Sequence, residues 1–340
     1  MLALMGLPRI GRWSAIQIAR AFPDGDWRTA SEATRSDRLE GRVARSLTNV
    51  SAHEWLRLVA RAVLVVAAHQ ERGVTVVAVD EPDYPPLLRL ASGPPPVLFV
   101  RGSTAALRSV DAVAVVGTRE PTAGGEIVAR RLAAALVQAG FVVISGLAKG
   151  IDTAAHVGAL DASGKTIAIL GTAIDKIYPA ANKELAARIE STGGALVSEY
   201  AIGAPTSGRQ FVERDRVQAA FSIAVVPVQT GIEGGTLHAV RFAHELHRAV
   251  LAPRPLAAEE SHPMYDGIKV LLDSGRVAMI EGQGEYAWLA NYLRRHRDWL
   301  VAGSAGSPPA PAGGSKPLPH NDAQQLGLFG EPGSERGQHS

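Results

Sequence analysis

The sequence predicts an α/β fold built on a doubly wound, mostly parallel sheet, and three observations lead there. Between Ala112 and Arg254, apolar runs alternate with amphipathic runs. The apolar runs are short and continuous rather than alternating in polarity, as strands covered on both faces are. Polar or glycine-rich loops stand where the apolar runs end, at Gly117-Thr118-Arg119, Ser145 to Asp152, Gly171 to Lys183 and Gly231 to Thr236. Open parallel sheets gather their ligand groups at that carboxyl edge.

The chain divides into residues 1–73, 74–300 and 301–340. In the first part, Gly6-Leu-Pro-Arg-Ile-Gly11 reads as a glycine-bounded turn before a helix that buries Ile16, Ile18, Ala19 and Phe22. This suggests a small helical domain of the helix-hairpin-helix (SAM-like) kind, whose hairpin amides can face a phosphate. A purely packing role for the same helices is the alternative. Helical patterns continue through 51–72 to Gly73. Val74–Val79 is β-branched and reads as a strand. The prolines of Tyr84-Pro-Pro and Gly93-Pro-Pro-Pro argue against helix and predict an irregular lead-in, followed by Val97–Gly102.

The main series then places strands at 112–116, 141–145, 166–170, 195–199, 223–228 and 249–253. Helices are expected at 123–139, 150–162, 182–192, 212–220 and 235–246. The spacings suit right-handed βαβ crossovers. A further helix, a strand at Val277–Ile280 and a basic helix from Tyr286 to Trp299 follow. From about 302 the composition turns to Gly, Ser, Pro and Ala, the signature of a disordered tail. Its one apolar island is Gln325-Leu-Gly-Leu-Phe329.

Bulk properties narrow the function classes. With 46% hydrophobic residues in 340 there is ample material for a core. No apolar run reaches the roughly 18 residues of a membrane span, and Pro8, Arg9 and Arg12 break the layout of a signal peptide. The absence of cysteine excludes disulfides and thiolate metal sites. A cytoplasmic protein is expected. The formal net charge of +2 means that a polyanion would be held by a local patch rather than by the whole surface.

The loops supply such a patch. Gly117-Thr118-Arg119 offers backbone amides, a following helix start and a planar guanidinium, which together suit phosphate. Neither the G-x-G-x-x-G nor the G-x-x-x-x-G-K-[ST] fingerprint is present. Ser145-Gly146 with Lys149 forms the next loop, where Asp152 suits the first turn of a helix and His156 packs one turn on. Asn182 is a candidate cap for the helix that Lys183 opens. Arg209, Arg214 and Arg216 bracket Phe211, and Gly234-Gly235-Thr236 closes the set. Cations beside an aromatic (Phe211, with Tyr178 as a second) are what single-stranded nucleic acid requires. No catalytic triad, carboxylate pair or metal cluster is readable in these loops, and His238, His244 and His247 read as a solvated helix face.

Several of these motifs, in this order, resemble the DprA/Smf family of DNA-processing proteins. They are Tyr84-Pro-Pro-Leu-Leu, Pro94-Pro-Pro-Val-Leu-Phe-Val-Arg-Gly102, Val116-Gly-Thr-Arg119, Ser145 to His156, Thr166 to Gly171, Ile177-Tyr-Pro179 and Ser198-Glu-Tyr200. The resemblance, over roughly 75–300, implies a Rossmann-like domain that binds single-stranded DNA without catalysis; no cofactor and no metal are expected. It also implies homodimerisation and help in loading RecA recombinase. Arg119 matches the arginine of the family's Gly-Ser/Thr-Arg loop, Arg214 and Arg216 match its Arg-Asn-Arg segment, and Lys183 falls near its basic position. Asp215 stands where the family usually has asparagine, and the family's winged-helix module has no counterpart.

Two rival readings remain. Gly234-Gly235-Thr236 faintly resembles the glycine loop of the LOG-type phosphoribohydrolases, nucleotide-hydrolysing enzymes, but Ala239 stands where their glutamate belongs. The tail peptide, with Gln325, Leu326, Leu328 and Phe329, is similar to the Gln-Leu-x-Leu-Phe motif that docks into the bacterial sliding clamp. That similarity implies a replication-clamp partner.

Overall fold

A computed structural model describes residues 1–303 and 307–310. The tail peptide at 325–329 and the expectation of disorder there lie outside the described residues.

Nine strands form one sheet: β1 (Thr75–Ala78), β2 (Val97–Gly102), β3 (Ala112–Val116), β4 (Val142–Ser145), β5 (Thr166–Leu170), β6 (Ala195–Ser198), β7 (Ala224–Pro227), β8 (Ala249–Pro253) and β9 (Ala278–Ile280). Their order is β1-β2-β6-β5-β4-β3-β7-β8-β9. Every pairing from β6 across to β9 is parallel, whereas β1–β2 and β2–β6 are antiparallel. The chain steps from β3 out to β6, then returns to β7 on the other side of β3. The sheet is therefore doubly wound, with its switch point between β3 and β7.

The period-2 rule explains why the apolar runs are continuous. In β3, Ala112, Ala114 and Val116 belong to one apolar cluster and Val113 and Val115 to another, and all five are buried. Both faces are covered, so no position is left for a polar residue.

Fourteen α-helices are present among the described residues. Five precede the sheet: α1 (Leu2–Met5), α2 (Arg12–Ala21), α3 (Glu32–Arg38), α4 (Gly41–Leu47) and α5 (Ala52–Gln70). Leu4, Ile18, Val43 and Leu47 from these helices, with Phe22 and Trp27 from the connection after α2, form an apolar cluster of their own. Within the sheet region come α6 (Pro86–Leu90), α7 (Thr104–Leu107), α8 (Ala123–Gln138), α9 (Ile151–Asp161), α10 (Lys183–Ser191), α11 (Gly208–Phe221), α12 (Thr236–Glu245), α13 (Asp266–Asp273) and α14 (Tyr286–Val301).

Three expectations need correction. The proline segment contains a helix after all: Pro86 stands at the first position of α6, where a missing N–H costs nothing. The lead-in is not irregular either: β1 falls where a strand was expected, and Val97–Gly102 adds β2 beside it, so that both extend the sheet. Finally, α11 begins at Gly208, ahead of the expected 212, because Ser207 and Gln210 form a reciprocal capping box. Arg209 and Phe211 therefore lie in a helix, not in a loop.

Candidate nucleic-acid interface

The loops that follow β3, β4 and β5 meet the first turns of α11 at the carboxyl edge of the sheet. They enclose a cavity of about 120 Å³ lined by Arg119, Gly146, Ala148, Lys149, Tyr178, Pro179, Phe211 and Arg214. Ligand pockets for whole small molecules usually run to roughly 300–1,000 Å³. This one has room for a single phosphate or the edge of a base.

The β4–α9 loop forms its floor. Asp152, in the first turn of α9, does more than favour the helix start: its Oδ2 accepts from the Gly146 and Ala148 amides at 3.2 and 3.3 Å. Arg214 donates to the Gly146 carbonyl, to the Ile169 carbonyl at 3.1 Å and to Asp215 Oδ1 at 3.0 Å. Gly146 must be glycine, because a Cβ there would stand 1.6 Å from Arg214 Nη1. Asn182 does not cap its helix. It is buried, and its Nδ2 donates to the Leu147 carbonyl at 2.8 Å and to Thr153 Oγ1 at 2.9 Å, tying the β5 loop to the β4 loop. His156 is packed as expected: Nδ1 meets Thr166 Oγ1 at 2.7 Å, and burial pushes its pKa down to about 3.

The walls are open and different in character. Arg119 and Lys149 are exposed and take part in no ion pair among the described residues. The Arg119 guanidinium lies 5.7 Å from the Phe211 ring centroid, and Tyr178 lies 5.6 Å from the same ring at 56°. Tyr178 is 51% exposed, so an aromatic surface faces solvent beside two uncompensated cations.

Six of the residues expected at the site line this cavity: Arg119, Gly146, Lys149, Tyr178, Phe211 and Arg214. The others lie elsewhere. Gly117 packs on Ile151, and the Thr118 amide bonds the Gln229 carbonyl at 2.8 Å, so both stitch the loop to its neighbours. Ser145 turns inward to the Val115 carbonyl at 2.7 Å. Lys183 is exposed at the start of α10, and Arg209 is exposed and paired with Glu213, both outside the cavity. Gly234, Gly235 and Thr236 follow β7, beyond the switch point, where Gly234 packs on Thr230.

Arg216 corrects the expectation that both arginines face one ligand. Two residues apart on a helix are about 200° apart around it. Arg214 points to the cavity floor, whereas Arg216 bonds the Gly93 carbonyl at 2.7 Å and Glu199 at 3.3 Å. Glu199, with its side chain only 4% exposed, also receives Arg12 at 3.1 Å. Arg216 thus helps anchor α2 against the sheet.

The helix start after Gly117-Thr118-Arg119 is also unavailable to phosphate. Its Gly124 amide donates to Glu259 Oε1 at 3.0 Å, and the Thr122 hydroxyl donates to the same carboxylate. These hydrogen bonds, the Thr122 one foremost, hold Glu259 below the usual carboxylate range. The place where doubly wound folds hold a nucleotide's pyrophosphate is filled by the chain's own anion.

Asp215 adds a proton switch beneath the cavity. Burial raises its pKa to about 6; Arg214 opposes the shift, while Asp152 adds to it. A phosphate arriving beside Arg214 would raise it further, so binding takes up a proton. Affinity is therefore expected to rise as pH falls through about 6, and to be flat above about 7. Asp215→Asn is expected to tighten binding several-fold at pH 7.5 and to abolish that step, as read by oligonucleotide anisotropy between pH 5 and 8.

The fold and this edge define a Rossmann-like α/β protein with a small cationic, aromatic-walled cleft at its carboxyl edge. The family model of DNA recombination-mediator protein A matches residues 75–286, and the chain belongs to that family. Among curated relatives, Protein Smf of Synechocystis is 36% identical over 217 residues, 62% of this chain and 54% of its own length. The chain thus spans about half the length of that relative. Among solved structures, DNA processing protein A of Streptococcus pneumoniae aligns with a TM-score of 0.64 at 26% identity, covering 84% of this chain and 95% of its own. DNA processing protein A of Helicobacter pylori, a protein with a single-stranded DNA binding mode, aligns with a TM-score of 0.57 at 25% identity, covering 65% and 95%.

Proposed function

We propose that this protein binds single-stranded DNA through the cleft and acts as a recombination mediator without chemical change to the strand. The observation that carries this is the pairing of two cations outside any ion pair among the described residues, Arg119 and Lys149, with exposed Tyr178 and half-buried Phe211 over a cavity too small for a whole nucleotide. A strand needs phosphate neutralisation and a face for its bases, and has no need of an enclosing pocket. Glu259 at the α8 start disfavours the nucleotide-hydrolysing alternative, because a nucleotide would first have to displace it.

The same proposal includes homodimerisation, delivery of the strand to RecA and clamp docking through residues 325–329. Phe211→Ala is expected to weaken single-strand binding by about 5- to 150-fold, from the roughly 1–3 kcal/mol per stacked base. Phe211→Trp is expected to retain it. Equal affinity of Phe211→Ala and the parent in anisotropy titrations would remove the stacking surface from the account.

A further inference from the structure

Charge is unevenly shared along the chain. Residues 1–73 hold eleven arginines against seven acidic side chains, whereas residues 74–340 hold 24 basic against 26 acidic ones. The positive excess therefore belongs to the helical domain, and part of it lines one face of α2. Trp13, Gln17 and Arg20 follow at spacings of four and three, so they share a side of the helix. Ala15, Ile16 and Ile18 are its buried residues. Trp13 is 52% exposed. At the far end of the same face, Gln17 and Arg20 join Ala21, Arg38, Leu39 and Glu40 around a cavity of about 380 Å³. Cavities of roughly 300–1,000 Å³ hold whole small ligands. Arg38 is held in place there: its Nη1 donates to the Ala21 carbonyl at 3.4 Å, and its guanidinium lies 5.2 Å from the Phe22 ring centroid. Arg20 and Glu40 are exposed and take part in no ion pair among the described residues.

We propose that this face of α2, with the cavity at its end, is a second contact for single-stranded nucleic acid and takes the strand onward from the cleft. The proposal rests on strand binding at the cleft. Continuity of the surface is its first support. Arg12, next to Trp13, bonds Glu199 at 3.1 Å, and Glu199 also receives Arg216 of α11 at 3.3 Å. Arg209 is seven residues before Arg216, on the same side of α11, and its side chain is 86% exposed. Phe211, on the cleft wall, belongs to the same first turns of that helix. A strand leaving Phe211 thus crosses the start of α11 past Arg209 and reaches Trp13. The second support is the mixture of groups. Trp13 offers a base a stacking face, Arg20 and Arg38 neutralise phosphate, and Gln17 and Glu40 present hydrogen-bonding groups to a base edge. A simple anion would have no use for Trp13 and would be repelled by Glu40. A duplex keeps its base faces inside the stack, so Trp13 selects unpaired bases.

Anisotropy titration of the full chain with a single-stranded oligonucleotide of about 25 nucleotides, long enough to span both contacts, tests this. Trp13→Ala is expected to weaken binding by about 5- to 150-fold, the range for one lost base–aromatic stack, and Trp13→Phe to retain it. Arg20→Ala is expected to lessen the slope of log affinity against log salt by about 0.7, the value for one phosphate contact. Both side chains are exposed, so the melting temperature stays that of the parent. An oligonucleotide carrying 5-iodouracil is expected to photocross-link to Trp13, which a merely structural role would not produce. A loss for Arg119→Ala with none for Trp13→Ala and Arg20→Ala overturns the second contact and leaves the cleft standing. Indifference to all three variants removes the cleft as well. Weakened binding with no cross-link on α2 overturns direct contact, and equal weakening for a duplex of the same length overturns the choice of a single strand.

Discussion

Arg119→Ala is expected to lower the affinity for single-stranded oligonucleotides by about 10- to 150-fold while leaving thermal stability unchanged. The size follows from hydrogen bonds to charged groups, worth roughly 1.5–3 kcal/mol each where the partner is desolvated. Arg119 is exposed and unpaired, so the free protein loses little when it goes. In the bound state its removal takes away a phosphate partner and the cation that lies over Phe211. The slope of log affinity against log salt should shrink by about 0.7, the single-strand value for one phosphate contact. Arg119→Lys keeps the charge and loses the planar fork, and is expected to recover the slope but not all of the affinity. An unchanged slope for Arg119→Ala, measured by anisotropy between 50 and 300 mM salt, would mean that phosphate is gripped elsewhere.

Arg214→Leu has the opposite profile, with its largest effect on folding. The side chain is 7% exposed and holds the Gly146 carbonyl, the Ile169 carbonyl and Asp215, with Asp152 at 4.0 Å. Deleting it leaves two carboxylates buried without their cation. Breaking a buried pair from one side costs roughly 3–5 kcal/mol, which lowers the Tm of a domain this size by about 10 °C. Asp152 and Asp215 are already raised by burial. Without Arg214 they rise further, so the variant is expected to be relatively most stable at mildly acid pH. A melting temperature equal to the parent's would show that the floor of the cleft does not depend on this arginine. The contrast between the two arginines separates gripping a ligand from building the surface that grips.

The sheet was legible because its physics is one-dimensional. Strands such as β3 and β5 declare themselves by continuous apolar runs of the right length, and helices such as α8 and α9 by what lies between. The cleft was only partly legible. That Arg119, Lys149 and Phe211 share an edge follows from their placement after strands. The direction of a side chain within a helix does not, unless the helix start is known. Reading Ser207-Gly-Arg-Gln210 as a capping box would have placed Phe211 and Arg214 on one face and Arg216 on the other. Asn182 and Glu259 carry no such local signal. Each acts on a partner distant in sequence, Asn182 on Leu147 and Glu259 on Gly124, and only the folded chain brings them together. Pro86 was misjudged because a proline ends a helix from within but starts one without penalty.

The central claim is that the cleft neutralises the phosphates of a single strand. A salt titration of the full chain against matched single- and double-stranded oligonucleotides tests it most directly. The account predicts tighter binding to the single strand, a steep loss of affinity with salt, and a shallower loss for Arg119→Ala. Equal affinity for both forms, or single-strand binding indifferent to salt, would contradict it.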